Sequence, residues 1–238
     1  MSAHLAQRQL ALIESCEPAA YHDDGRAGYF AILMGDGNCK RQHCYPLESM
    51  HFVLQAVDRS RDAWISQGEF YKQSRRLINL KRISVCFADL DTYKVSGIAT
   101  LSPEQQLERL FGRCSDEGIP EPSLVVFSGR GLQVKWVLDV PLPYQALPRW
   151  DCVQRELTRR LHSLGSDRAS IDASRVLRLV HSTNSKSGQV VRILHNSPKR
   201  YQFDVLADGL LPLKRGSSDD HMAVRLCAKV SLLSCRLN

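Results

Sequence analysis

Several features are missing from this 238-residue sequence, and each absence narrows what the protein can be. It contains no run of 18 apolar residues, so we predict no membrane span and no membrane partner. Its start, MSAHLAQRQLALIESCEP, lacks the basic region and apolar core of a secretory signal, so we expect a cytoplasmic protein. It also lacks a Walker-type phosphate loop, which a self-contained ATPase or helicase would need, and a His-x-His pair for a relaxase-type metal site.

The cysteines offer no clear metal site. There are eight, scattered along the chain and mostly inside apolar stretches, which is typical of reduced core residues. The one cluster, CKRQHC, runs from Cys39 to Cys44 and encloses His43. A structural zinc ion needs four ligands, normally from two close pairs, and no second pair is evident. We therefore expect no structural zinc.

What the sequence does have is an excess of positive charge. It contains 32 Lys and Arg residues against 25 Asp and Glu, a net charge of +7. A basic chain suits a polyanionic partner, and nucleic acid is the most common one. Hydrophobic residues make up 43% of the chain, which is ordinary for a globular domain.

The pattern of apolar residues predicts both strands and helices. Strands are expected over 28–35 and 83–90, and hairpins over 124–138, with SGRG at the bend, and over 190–206. A helix should begin after Ser102, where Gln105 completes a capping box, and a second helix should follow Pro148. Further helices are expected over 4–16 and 222–235. This order of elements predicts an α+β domain with a mixed sheet.

Two carboxylates stand at the end of the expected central strand, in the stretch CFADLDTYK. Asp89 and Asp91 are two residues apart, so on a strand they point the same way, roughly 6–7 Å apart, and repel each other. A divalent cation would resolve the repulsion, and carboxylates are the ligands that Mg²⁺ and Mn²⁺ prefer. An isolated D-x-D also fits a solvated strand end.

Two further segments carry groups that suit phosphate chemistry. In SGRGLQVKW, Gly129 lets a ligand approach the backbone, and Ser128 and Arg130 suit phosphate, although a plain hairpin turn fits this stretch as well. The segment SIDASRVLRLVHSTNSKSG adds a third carboxylate, Asp172. Its cationic and hydrogen-bonding side chains are Arg175, Arg178, His181, Asn184 and Lys186. We expect Arg175 and Arg178 to share the face of a helical turn. Together the segments contain the components of two-metal phosphoryl transfer.

In order and spacing, FADLD, SGRGLQVKW and IDASRVLRLVHSTNSKSG resemble the three motifs of the archaeo-eukaryotic primase (AEP) superfamily. The resemblance covers about residues 60–205 and is strongest to the RepB-like replication primases of plasmids and mobile elements. It implies that Asp89, Asp91 and Asp172 are catalytic and hold two Mg²⁺ or Mn²⁺ ions. The sequence departs from the second motif, because Gln133 stands where the family has a histidine that contacts the nucleotide.

The resemblance also implies an architecture and partners. A catalytic domain over residues 1–216 would contain an N-terminal unit of about 1–80 and an RNA-recognition-motif-like (RRM-like) unit of about 81–216, flanked by helices. Residues 217–238 would form a helical tail. The activity implied is primer synthesis on single-stranded DNA from NTPs or dNTPs, in concert with a replicative helicase.

Two other functions are compatible with the same residues. The first is a DNA-binding replication initiator without catalysis, which stays possible because Gln133 stands where the family has a histidine. A metal-dependent nuclease is disfavoured, because the D-x-x-K spacing of Asp91 and Lys94 puts the lysine on the other face of a strand.

Overall fold

The structure is a computed structural model that describes residues 17–23, 25–36 and 39–211. The helices expected over 4–16 and 222–235, and with them the tail 217–238, lie outside the described residues. No helix within the described residues has the length and hydrophobicity needed to cross a bilayer.

A nine-stranded sheet organises the fold, with the strands in the order β11-β6-β7-β5-β4-β1-β3-β8 and β2 paired with β1. Its strands are β1 (Tyr29–Asp36), β2 (Cys39–Pro46), β3 (Ala63–Ser66), β4 (Gly68–Phe70), β5 (Leu80–Leu90), β6 (Leu124–Phe127), β7 (Leu132–Pro143), β8 (Val176–Arg178) and β11 (Arg192–Asn196). A separate two-stranded sheet contains β9 (Thr183–Asn184) and β10 (Gln189–Val190). The pairs between these strands are antiparallel, and a parallel contact occurs as an isolated bridge between Leu138 and Tyr201.

The described helices are α1 (Met50–Ala56), α2 (Pro103–Asp116), α3 (Leu147–Arg160) and α4 (Phe203–Leu210). The expected capping box of Ser102 and Gln105 is present at the start of α2. The α+β fold class is therefore confirmed, and the mixing of strand directions that the sequence predicted is limited, in the described residues, to that isolated bridge. The strands of the expected N-terminal unit and of the RRM-like unit share one sheet, so the boundary near residue 80 stays a prediction.

Strand β5 lies in the centre of the sheet, but part of one edge has no strand beside it. Its pairing with β4 ends at Ile83, whereas β7 follows it to Leu90. The side chain of Gln154 on α3 takes the place of a strand there: its Oε1 accepts from the Phe87 N–H (3.0 Å) and its Nε2 donates to the Phe87 carbonyl (2.9 Å). Because unpaired buried backbone groups are costly, this amide stabilises an otherwise open edge of the sheet.

Two expectations about local structure were wrong. The hairpin over 190–206 does not form, because 203–210 is helix α4. Its buried residues recur at helical spacing: Phe203, Leu206, Ala207 and Leu210. Arg175 and Arg178 do not share a helical face either, since Arg178 ends strand β8 and Arg175 immediately precedes it. The strand pairing of β8 with β3 overrides the helical reading of this segment.

Candidate active site

An open cleft of about 430 Å³ is lined by side chains from β1, β2, β3, β5, β7, β8 and β9 and from adjoining loops. That volume is within the usual range for a small-molecule site. Ten of the twelve candidate residues line it: Asp89, Asp91, Ser128, Arg130, Gln133, Asp172, Arg175, Arg178, Asn184 and Lys186. Gly129 and His181 do not. The structure thus brings most of the three sequence segments together at one place.

Asp89 and Asp91 lie at the end of β5, as expected, and each already has a basic partner. Asp89 Oδ2 lies 3.2 Å from Arg175 Nη2, and Asp91 Oδ2 lies 2.6 Å from Lys94 Nζ. Burial raises the pKa of Asp89; the Arg175 charge opposes this, and the Asp91 carboxylate raises the pKa further. The end of β5 is therefore a place where negative charge is costly and a cation is favoured.

A further carboxylate, Asp167, was missed by the sequence analysis. Arg175 Nη2 bridges it to Asp89, lying 2.9 Å from Asp167 Oδ2. The backbone explains its position, because the Asp167 N–H donates to the Asp89 carbonyl (2.8 Å) and the Asp91 N–H donates to the Gly165 carbonyl (2.8 Å). Residues 165–167 thus follow the open edge of β5, a non-local pairing that no local sequence pattern reveals.

Asp172 lies in the same cleft but is held by its own turn. Its Oδ1 accepts from the Ser174 N–H (2.8 Å) and its Oδ2 from the Ser174 hydroxyl (2.9 Å). Within the described residues, no three His, Cys, Asp or Glu side chains are close enough to form a metal site as they stand. The donor chemistry nevertheless suits Mg²⁺ or Mn²⁺, because Asp89, Asp91 and Asp172 offer hard carboxylate oxygens to one cleft.

Gln133 lies directly across the β5–β7 ladder from Asp89. Gln133 is only 3% exposed, and its side-chain Oε1 has no hydrogen-bond partner. The buried Nε of Arg175, also in the cleft wall, likewise has none. Buried polar atoms are almost always satisfied, so an unpaired acceptor and an unpaired donor beside one cleft indicate a place for a bound ligand or water.

The SGRG bend forms the tight hairpin turn that its glycines allow. Gly129 has φ +88°, and a Cβ there would lie 2.7 Å from the Cβ of Asn184. Asn184 in turn donates from Nδ2 to the Ser128 carbonyl (2.8 Å), and the Ser128 hydroxyl accepts from the Gly131 N–H (3.2 Å). Ser128 and Asn184 therefore hold the turn, which leaves Arg130 as the cation that the turn presents to the cleft.

Other cleft residues were not found from the sequence: Leu33, Lys40, Trp64, Arg75, Tyr93 and Val176. Arg75 links β2 to the loop before β8, because its Nε donates to Gln42 Oε1 (2.8 Å) and its Nη1 donates to the Ser174 carbonyl. The guanidinium of Arg130 lies 3.7 Å from the centre of the Tyr93 ring. The nearness of Tyr93 to Asp91 and of Val176 to Arg175 in the sequence could have pointed to two of these residues, whereas contacts between distant segments position the others.

Arg178 reaches the cleft through a buried ion pair. Its Nη1 lies 2.5 Å from Asp62 Oδ1, and the two side chains are 10% and 5% exposed. Asp62 also accepts from the N–H of Ser185 (3.1 Å), so it fixes the loop that carries Lys186. Burial alone would raise the pKa of Asp62, but hydrogen bonds from Ser185 and Arg178 outweigh burial and lower it.

Solved structures that are similar to this chain include two primase domains. The AEP domain of the cyanophage S-2L primase-polymerase superimposes with a TM-score of 0.58 at 17% identity, over 84% of this chain and 95% of that one. The catalytic domain of primase RepB′, solved in complex with initiator DNA, gives a TM-score of 0.46 at 15% identity, over 89% and 92%. No model of a known protein family matches the chain.

A replication protein of Clostridium perfringens is 38% identical over 160 residues, which is 67% of this chain. The chain spans only 38% of that relative's length. The superposition on the cyanophage domain confirms the fold that the AEP resemblance implied, and the sequence match shows that the chain is similar to part of a replication protein.

Proposed function

We propose that this chain, which has the fold of an AEP primase-polymerase domain, is a nucleotidyltransferase that synthesises primers on single-stranded DNA. It would serve plasmid or mobile-element replication, in concert with a helicase. The observation that carries the proposal is the composition of the cleft: three carboxylates, Asp89, Asp91 and Asp172, are faced by six Lys and Arg side chains. Such a surface suits a triphosphate and a DNA backbone together with divalent cations.

Each group has a role that its position supports. Asp89, Asp91 and Asp172 would hold Mg²⁺ or Mn²⁺, which when bound supplies charge neutralisation for the triphosphate. Arg130, at the hairpin turn, would bind phosphate. Gln133, with its unpaired buried oxygen, would accept a hydrogen bond from the substrate where the family has a histidine.

The remaining cleft cations would bind phosphate or the template backbone: Lys40, Arg75, Arg175, Arg178 and Lys186. Arg175 has a second role, because it now neutralises Asp89 and Asp167 and would exchange these contacts when cations and substrate enter. His181 does not line the cleft and has no role in this proposal.

The test is de novo synthesis on single-stranded DNA with labelled nucleotides and Mg²⁺ or Mn²⁺. Asp89→Asn and Asp91→Asn should each reduce product by at least about 100-fold, because each removes a charge from the reaction centre. Asp139→Asn is the matched control, since Asp139 is an exposed aspartate on β7 outside the cleft. DNA binding by fluorescence anisotropy shows whether the variants remain folded and competent to bind. Full activity in either cleft variant would refute the assignment.

A second candidate is a DNA-binding replication initiator without catalysis. It is favoured by two observations: Gln133 occupies the histidine position, and Asp172 is engaged by Ser174 instead of meeting the other carboxylates. The same assay separates the two functions. A wild-type protein that binds single-stranded DNA but forms no product with either cation would refute self-sufficient primer synthesis and favour the initiator.

A further inference from the structure

A tryptophan in the cleft wall has basic groups at both sides. Lys40 Nζ lies 4.6 Å and Arg178 Cζ 4.9 Å from the centre of the Trp64 ring. Trp64 lines the cleft and is part-exposed, unlike Trp136 and Trp150, which are fully buried. Trp64 is also not among the side chains that form the hydrophobic clusters of the described residues, so core packing does not account for its position.

Strand register shows how the two cations approach. Trp64 on β3 pairs with Arg178 on β8 at one side and with Leu33 on β1 at the other. Beyond β1 comes β2, where Lys40 pairs with Gly35, two residues from Leu33. Side chains at these positions project from the same face of the sheet. Lys40 therefore reaches Trp64 from the opposite side to Arg178.

The two cations differ in how firmly they are held. The Arg178 side chain is 10% exposed and is ion-paired with Asp62, so it stays in place when the cleft fills. Lys40 belongs to the exposed part of β2, and its flexible side chain can move. The side of Trp64 that Lys40 covers is therefore the side that a ligand can reach.

We propose that Trp64 is a stacking surface for a nucleobase, with Lys40 and Arg178 binding the phosphates next to that base. The inference rests on the proposed nucleotidyl-transfer function and adds to it a base-recognition position on β3. Every base has a flat π-surface, so stacking is sequence-tolerant, as copying a variable template or taking different nucleotides requires. The base belongs either to the single-stranded DNA or to the incoming nucleoside triphosphate, and the experiment distinguishes these sources.

The test uses the intrinsic fluorescence of the full chain. The sequence contains three tryptophans, and two are fully buried, so a ligand in the cleft reports mainly through Trp64. The protein is titrated with oligo(dT), with an abasic oligonucleotide of equal length and charge, and with each nucleoside triphosphate, with and without Mg²⁺. Anisotropy of labelled oligonucleotide measures binding independently of tryptophan emission.

We expect oligo(dT) or a triphosphate to change the emission at concentrations where it binds, and the abasic strand to change it much less, because its phosphates can draw Lys40 from the ring but bring no base to it. Trp64→Leu should weaken binding of the base-bearing ligand about 5- to 150-fold and leave abasic binding within a few-fold. Trp64→Phe keeps a flat ring and should lie in between, which separates loss of stacking from loss of folding.

Several results would overturn the inference. One is an equal emission change with abasic and base-bearing strands. Others are saturated binding without any change in Trp64 emission, and binding of neither ligand. A further one is an equal loss of affinity for both strands in Trp64→Leu, which would mean that Trp64 only packs against Arg178. Primer synthesis is not a readout here. A protein that forms no product but shows base-dependent stacking refutes the proposed reaction and keeps the stacking surface.

Discussion

Removing the charge of Asp62 should weaken both the fold and the cleft. The change Asp62→Asn keeps the shape of the side chain but leaves Arg178, 10% exposed, without its counter-charge. Breaking a buried ion pair from one side costs about 3–5 kcal/mol. The asparagine oxygen can still accept one of the present hydrogen bonds, so we expect a loss of about 3 kcal/mol in the free energy of unfolding at pH 7.

The acid dependence of this loss follows from the pKa of Asp62, which is lowered in the folded protein. Stabilisation by a carboxylate with a lowered pKa is fully present above the unfolded value, about 3.9. It is lost as the pH falls through the folded pKa. The difference between wild type and Asp62→Asn should therefore be constant from about pH 5 to 8 and shrink below about pH 4.

Urea denaturation at a series of pH values measures both effects, with the m-value reporting whether the denatured state has changed. The matched control is Asp58→Asn, four residues earlier, where the carboxylate is exposed and pairs with Arg61 at the surface. It should shift the midpoint only slightly, because the asparagine oxygen can keep the hydrogen bonds from Ser60 and an exposed ion pair contributes little. If Asp62→Asn is as stable as wild type at pH 7, or if the difference persists unchanged at acid pH, the buried ion pair does not stabilise the fold.

Three other changes have definite expected outcomes. Glu69→Gln should reduce the free energy of unfolding by about 3 kcal/mol at pH 7, measured by urea denaturation. The loss should shrink at acid pH, because burial alone would raise the pKa of Glu69 but hydrogen bonds from His22 and Arg82 outweigh burial and lower it. Gly131→Ala should destabilise by about 1–3 kcal/mol and impair synthesis, since its Cβ would lie 2.1 Å from a carbonyl oxygen of β5. The control Gly112→Ala, in open space on α2, should instead stabilise by about 0.5–1 kcal/mol, and unchanged midpoints for both would contradict the close approach. Tyr93→Ala should raise the nucleotide KM about 2- to 30-fold, because it releases Arg130 from the Tyr93 ring, whereas Tyr93→Phe keeps the ring and should not change the KM. Equal KM values for wild type and Tyr93→Ala in single-turnover titrations would show that the ring does not support Arg130.

The parts of the site that could be predicted from the sequence are those that local patterns specify. The D-x-D at the end of β5, the SGRG turn and the capping box of α2 each lie within a few residues, and all are present. Trp64, Arg75 and Asp167 were missed because their positions depend on pairing between distant segments. Arg178 and its partner Asp62, for example, are 116 residues apart in the chain.

The wrong hairpin over 190–206 has a local cause. In a short window YQFDVL fits a strand, and the helical period appears only when Ala207 and Leu210 are included. Arg175 and Arg178 were misassigned for a different reason. The pairing of β8 with β3 imposes an extended backbone on a segment whose charges are also spaced for a helix.

The pairing of β8 with β3 also has a consequence for the order of folding. The hydrogen bond from the Ser185 N–H to Asp62 spans 123 residues, so closing this loop costs more chain entropy than the hairpin of β6 and β7. We expect the aspartate-bearing strand to form early and the wall with Arg178 and Lys186 to join it last. A chain emerging from the ribosome would then have Asp89 and Asp91 in place before Asp172, Arg178 and Lys186 join them, and the cleft would be complete only once β8 has docked.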